Sequence, residues 1–174
     1  MTPRRSRLVV REVLVYPAPG LKAVAAPLSA IDGVAAGLAA DMIDTLRSFP
    51  GCVGLAAPQI GVALRAVVFD LSGHRKARSC HGLVVLFNPE LVLAEGSEVM
   101  REGCLSLPDL TANVRRATDI VVRGLSRDGE EIVIHADAFE ARVILHEMDH
   151  LDGYLFLDRV ASLKHDLFQR KVYR

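Results

Sequence analysis

The 174-residue chain has no tryptophan, three tyrosines, six phenylalanines and three cysteines, and its 21 basic side chains are cancelled by 21 acidic ones. The charge balance and the cysteine count each exclude a class of protein. Zero formal net charge argues against a dedicated DNA or RNA binder, in which lysine and arginine outnumber the acids. It also removes any general attraction to an anionic membrane surface. No apolar run approaches the ~20 residues needed to cross a bilayer. Arg4, Arg5 and Arg7 start the chain as a secretory leader would, but Arg11 and Glu12 interrupt the apolar residues before a hydrophobic region forms. Cys52, Cys80 and Cys104 are odd in number and widely spaced, which is no disulfide framework. A reducing cytoplasm is the expected setting. Internal repeats and low-complexity segments are also absent, so solenoid and disordered architectures drop out.

What the chain does have is 51% hydrophobic residues, enough at this length for one domain, residues 1–174, to bury a core without staples. Residues 8–15 are β-branched and predict a first strand, ended by Pro17 and Pro19. Ile31, Val34, Leu38, Met42 and Leu46 recur at three- and four-residue intervals. That spacing predicts a helix from Ser29 to Phe49, capped by Ser29 or Asp32 and broken by Pro50–Gly51. Val67–Leu71, Leu83–Asn88 and Leu91–Ala94 read as short strands, with residues 72–82 as a mobile loop. Ile120–Leu125 and Glu130–His135 flank Ser126-Arg127-Asp128-Gly129, a hairpin signal. A second helix is expected from Asp137 to about Asp152, with Glu140 completing a capping box and Gly153 as the stop. This order is α+β; parallel βαβ alternation is absent.

The chemistry concentrates on the second helix, in His146-Glu147-Met148-Asp149-His150. Histidines at i and i+4 lie one above the other on a helix face and can hold one metal ion. Glu147, beside the first, can reach a water on that ion and take its proton. Two histidines leave a catalytic metal one protein ligand short. Downstream, His150–Gly153 lacks the metzincin spacing, and the remaining chain is too short for a gluzincin subdomain. The third ligand is therefore sought upstream, at Cys104 in Glu102-Gly103-Cys104-Leu105-Ser106. Its thiolate suits a borderline or soft cation and leaves one position open for water. Gly103 lets the backbone approach closely. The stretch Gly51-Cys52-Val53-Gly54-Leu55-Ala56-Ala57-Pro58-Gln59 lacks a phosphate-loop pattern. It reads either as a tight turn or as the wall of a substrate cleft with Gln59 as its polar group.

Taken in order, Cys52–Gln59, Glu102–Ser106 and His146–His150 resemble the peptide deformylase family, which carries G-x-G-L-A-A-x-Q, E-G-C-L-S and H-E-x-x-H segments. Tyr16-Pro17, Phe87-Asn88-Pro89-Glu90 and His150-Leu151-Asp152-Gly153 extend the similarity over nearly the whole chain. The resemblance implies an α+β fold with mixed and antiparallel sheets around the metal-bearing helix. It implies hydrolysis of the formyl group from N-formylmethionyl peptides emerging from the ribosome. Carried over, it makes Cys104, His146 and His150 the metal ligands and Glu147 the general acid/base. Gln59 and the backbone N–H of Leu105 become the oxyanion donors. Gly54 and Gly103 would align the peptide, and Val53, Met100, Phe139 and Val143 would line a methionine pocket. Fe²⁺ is the implied ion, with Zn²⁺, Ni²⁺ or Co²⁺ as substitutes; ligand softness alone favours Zn²⁺ or another late divalent metal. The sequence departs from the family pattern at Cys52, Leu145 and Thr111, where glycine, glutamine and arginine are common.

Three other readings compete. One is a different Cys/His/His amidase or peptidase; another is a silent relative that binds peptide or ribosome. The third is a structural zinc domain closed by Cys52 or Cys80. From Leu155 to Arg174 a packed strand or turn and a short basic helix are expected. Its Lys164, Arg170, Lys171 and Arg174 are either a solvated face or a contact with ribosomal RNA near the exit tunnel.

Overall fold

The computed structural model describes residues 8–171; Arg4, Arg5, Arg7 and residues 172–174 lie outside them. In chain order the elements are α1 (Gly33–Ser48), β1 (Gly54–Ala56), β2 (Ala66–Phe69), β3 (Val84–Glu95), β4 (Glu98–Cys104), β5 (Leu107–Arg116), β6 (Asp119–Leu125), β7 (Glu131–Asp137), α2 (Ala138–Leu151), α3 (Leu163–Asp166) and β8 (Leu167–Gln169). Strands β1-β2-β3-β6-β7 form one sheet and β4-β5-β8 a second. All their pairings are antiparallel. The parallel component that a mixed sheet requires reduces, among the described residues, to an isolated bridge between Ala26 and Leu64.

The larger sheet is covered on both faces, which explains why β2 is apolar at every position. Ala66 and Val68 point toward α1, packing with Leu38, Met42 and Leu46. Val67 and Phe69 point the other way, toward Ile144, Met148 and Leu151 of α2. Successive strand residues face opposite sides, so only an unbroken apolar run fills both cores. A third cluster, with Leu21, Cys104, Ala112, Val114 and Phe156, lies against the smaller sheet. Helix α2 thus runs beside both sheets and carries its histidines to where they approach.

Several boundaries differ from expectation. Residues 8–15 form no strand. The segment instead docks by isolated bonds: Val9 N–H donates to Asp44 and Arg11 N–H to Thr45 Oγ1, while Leu14 N–H donates to the Gln59 carbonyl. The two short strands at 83–88 and 91–94 are one, β3, because the register shifts between Phe87 and Glu90 absorb Asn88 and Pro89. Strands β1, β4, β5 and β8 had no counterpart in the sequence pattern. Asp32, not Ser29, caps α1, its Oδ1 accepting from Val34 N–H at 2.9 Å and Ala35 N–H at 3.2 Å. Val34 falls outside the apolar stripe and is exposed. Asp32→Ala is expected to cost about 1 kcal/mol, read as a lower urea midpoint at unchanged slope.

The expected capping box on α2 does not form. Asp137 precedes the helix, but its carboxylate accepts from Ser79 N–H at 2.9 Å. Glu140 turns toward the same loop, accepting from Ser79 Oγ at 2.6 Å and from His81 N–H at 2.9 Å. Residues 72–82 are therefore a loop as expected, but one clamped to the start of α2. Gly153 is the stop, in the left-handed region at φ 75°. Beyond it come a 3-10 turn at Phe156–Arg159, the single-turn α3 and then β8, which pairs with β5.

Candidate active site

One turn of α2 separates His146 and His150, whose ring centroids are 5.1 Å apart. Cys104 ends β4, where a register shift between Gly103 and Cys104 re-aims the strand end, and its Sγ lies 3.3 Å from His150 Nε2. The donor atoms of Cys104, His146 and His150 all fall within 4.8 Å of one another, as bonds of about 2.0–2.3 Å to one cation require. Among the described residues this group has no fourth member. Cys52 Sγ instead donates to the Gly54 carbonyl at 3.2 Å, and Cys80 is exposed on the clamped loop. The closed structural zinc site is thereby disfavoured.

The surroundings test whether a divalent cation fits. Burial, helped by the charges of His146 and Arg116, pushes the His150 pKa well below its usual value. His146 is instead pushed well above its own, burial being outweighed by hydrogen bonds to Cys104 and Glu102, so a cation there displaces the His146 proton. His146 Nδ1 donates to Glu102 Oε2 at 2.9 Å, which fixes the ring and turns its other nitrogen toward the cluster. Burial opposes charge on Glu102, yet hydrogen bonds from His146 and Arg116 hold its carboxyl well below the usual range. Two buried polar atoms, Glu147 Oε2 and His150 Nδ1, have no protein partner. A thiol and two imidazoles within reach of one point make a donor set that fits the cation, and the unsatisfied Glu147 oxygen lies beside it, not in it.

Glu147, next to His146 on α2, has its carboxyl pushed up to about 7 by burial, against the pull of His146 and Arg116. Gln59 sits in a 3-10 turn, held by Ala56 N–H donating to its Oε1 at 2.9 Å. Its amide nitrogen then donates to Cys104 Sγ at 3.4 Å and to Ser106 Oγ at 3.2 Å. The N-terminal segment braces both sides of this contact through Leu14 N–H to Gln59 O and Tyr16 N–H to Ser106 O. Cys52 is pushed up to about 12 by burial and the nearby Glu147 charge, so it stays a thiol.

Val53, Gly54, Gln59, Gly103, Cys104, Leu105, Phe139, Val143, His146 and Glu147 line one pocket. Met100 does not line it: it shares the inward face of β4 with Glu102 and Cys104 but lies nearer the far end of the strand. Arg101, Arg142 and Arg170 do line it, and none was legible as a site residue, since single arginines carry no spacing signal. Gly54 is required by packing. A Cβ there would fall 2.5 Å from Glu147 Oε1 and 2.9 Å from Val143 Cγ1. Gly54→Ala is expected to displace Glu147, costing about 1–3 kcal/mol by overpacking. A variant as stable as the parent in urea would contradict that packing.

The family profile described as Polypeptide deformylase matches residues 10–166. A peptide deformylase of Thermodesulfovibrio yellowstonii is 42% identical over 164 residues, 94% of this chain and 97% of that protein. The crystal structure of a peptide deformylase from Legionella pneumophila superposes with a TM-score of 0.81 at 38% identity, covering 90% of this chain and 89% of that one. A Met-Ala-Ser-bound structure of a class I type b peptide deformylase from Acinetobacter baumannii gives 0.81 at 32% identity, covering 88% and 100%. With its profile match and these relatives over nearly its whole length, the chain belongs to the polypeptide deformylase family.

Proposed function

We propose that this enzyme removes the formyl group from N-formylmethionyl peptides, releasing formate and a free amino terminus, with residues 1–174 acting as one catalytic domain. The observation that carries this is the grouping of the Cys104, His146 and His150 donors at a pocket lined by Cys104, His146, Glu147 and Gln59, in a deformylase fold. Fe²⁺ is the proposed ion, with Zn²⁺, Ni²⁺ or Co²⁺ able to replace it. A divalent cation held by the three ligands supplies Lewis acidity toward water and the formyl oxygen.

The chain's own residues do the rest. Glu147 takes a proton from the attacking water and returns it to the departing amine; a carboxyl near neutrality serves both directions. Gln59 Nε2 and the Leu105 N–H donate to the formyl oxygen as negative charge builds on it. Val53, Phe139 and Val143 enclose the methionine side chain. Strands β1 and β4 are edges of their sheets, so an extended peptide can pair along Gly54 and Gly103 with little sequence demand. The Met-Ala-Ser ligand of the A. baumannii relative is the product such a reaction leaves. The substrate class places the enzyme in the cytoplasm, beside ribosomes. No helix among the described residues is long and apolar enough to cross a membrane.

The test is formate release from a formyl-Met tripeptide by anaerobically prepared protein with its metal content assayed. Turnover of the formylated peptide but not the acetylated one is expected. No turnover with one Fe²⁺ per chain would overturn the assignment.

A further inference from the structure

We propose that Arg101 and Arg170 recognise a carboxylate on the peptide downstream of its methionine, so that the enzyme prefers acidic residues there. The inference rests on the deformylase reading and adds a specificity element to it. Both arginines line the same pocket as Cys104, His146 and Glu147, and both are exposed. They come from different strands, Arg101 from β4 and Arg170 from just beyond β8. The pairing of β4 with β5 and of β5 with β8 puts Gly103, Thr111 and Phe168 in one row. The two guanidiniums border that row. Arg101 Nη1 donates to Thr111 Oγ1 at 3.2 Å. Arg170 Nη2 lies against Gly103, where a Cβ would collide with it and would also sit 3.6 Å from Thr111 Cγ2.

Arg101 is held in place. Its guanidinium carbon stacks 3.5 Å from the centroid of the Phe168 ring, and its Nε donates to Asn113 Oδ1 at 3.1 Å. Asn113 in turn donates to Asp166 at 3.2 Å, so that acid lies one residue removed from the guanidinium. Neither Arg101 nor Arg170 forms an ion pair with a carboxylate among the described residues. The pocket's own acids do not answer them: Glu102 is paired with Arg116 and Arg142, and Glu147 is buried on α2. Arg101 thus keeps the donors of Nη2 free while stacking and two hydrogen bonds have already reduced its freedom. A preorganised fork of this kind loses little entropy on gripping a carboxylate.

Position assigns the ligand to the substrate rather than to an independent anion. Gly103 is where an extended peptide meets the β4 edge, and Arg101 and Arg170 flank it at the pocket mouth. Such a carboxylate can come from an Asp or Glu side chain or from the terminus of a very short peptide. The experiment separates these sources. Formyl-Met-Ala-Glu-amide, formyl-Met-Ala-Gln-amide and formyl-Met-Ala-Gln with a free carboxylate are compared on metal-loaded enzyme, alongside binding of the deformylated products by competition.

Glu-amide is expected to exceed Gln-amide about three- to tenfold in kcat/KM and in product affinity, the size of a partly exposed, preorganised ion pair. The advantage should shrink as salt rises from about 0.02 to about 0.5 M. In Arg101→Gln/Arg170→Gln the Glu:Gln ratio should fall to about one, a ratio read within one enzyme and so independent of overall turnover. An advantage confined to the free terminus would overturn the side-chain preference. A ratio of one in the parent, or one that survives in the double variant, would overturn the inference while leaving the deformylase assignment intact. Absence of turnover with the binding preference retained would do the reverse.

Discussion

Glu147→Ala is expected to lower turnover of a formyl-Met peptide by about 10²–10⁴-fold, the usual range for a positioned acid/base group, while metal content per chain stays unchanged. The separation follows from geometry. Glu147 is not among the three grouped donors, but it projects from the same turn of α2 into the same pocket. One oxygen lies 2.5 Å from where a Gly54 Cβ would be, and the other is buried without a protein partner. A buried carboxylate in that condition costs stability. Removing it is therefore expected to hold or raise the thermal midpoint even as activity collapses, the trade that reaction sites commonly embody. Formate release, metal assay and a thermal melt on one preparation check all three. Loss of metal together with activity would move Glu147 from proton transfer to cation binding.

The parts of this site that were legible in the sequence are the parts set by local spacing. His146 and His150 had to share a helix face once the second helix was recognised, and Glu147 came with them. Cys104 required a missing-ligand argument and the family resemblance, because nothing local ties β4 to α2. Strands β4 and β5 carry no strand signal in the sequence, for a physical reason. Their inward positions are Met100, Glu102 and Cys104 on one strand and Ala112, Val114 and Arg116 on the other. Burying Glu102 and Arg116 puts charge where the strand pattern calls for apolar side chains, and the period-two signal is lost. The same charges form the network that supports the candidate metal ligand His146. The buried charges that hide these strands in the sequence and those that support the site are thus one feature. The opposite error, at residues 8–15, arose because β-branched residues favour extended backbone whether or not a partner strand exists. Here the partners are α1 side chains and the Gln59 turn.

Arg116→Met is expected to destabilise the fold by about 3–5 kcal/mol, the cost of breaking a buried ion network by removing one member. Arg116 Nε and Nη2 bind the two oxygens of Glu102 at 2.6 and 3.0 Å, and Nη1 binds Asp149 at 2.8 Å. All three side chains are nearly inaccessible, at 5, 5 and 10%. Without the guanidinium, Glu102 keeps Arg142 at 2.7 Å and Asp149 keeps Arg159 at 2.7 Å, which places the loss toward the lower end of the range. Arg159, 45% exposed, sits at the wet end of the same network, so Arg159→Met should cost about 1 kcal/mol or less. Glu102 Oε2 also receives His146 Nδ1. Loosening Glu102 should weaken cation binding about 10–100-fold, as loss of such outer partners does. Urea unfolding and chelator competition on the two variants separate the effects. A protein cemented by this buried centre shows a large gap between Arg116→Met and Arg159→Met in both measurements, whereas equal costs would mean that the charges are solvated and that His146 is held by the packing of α2 alone.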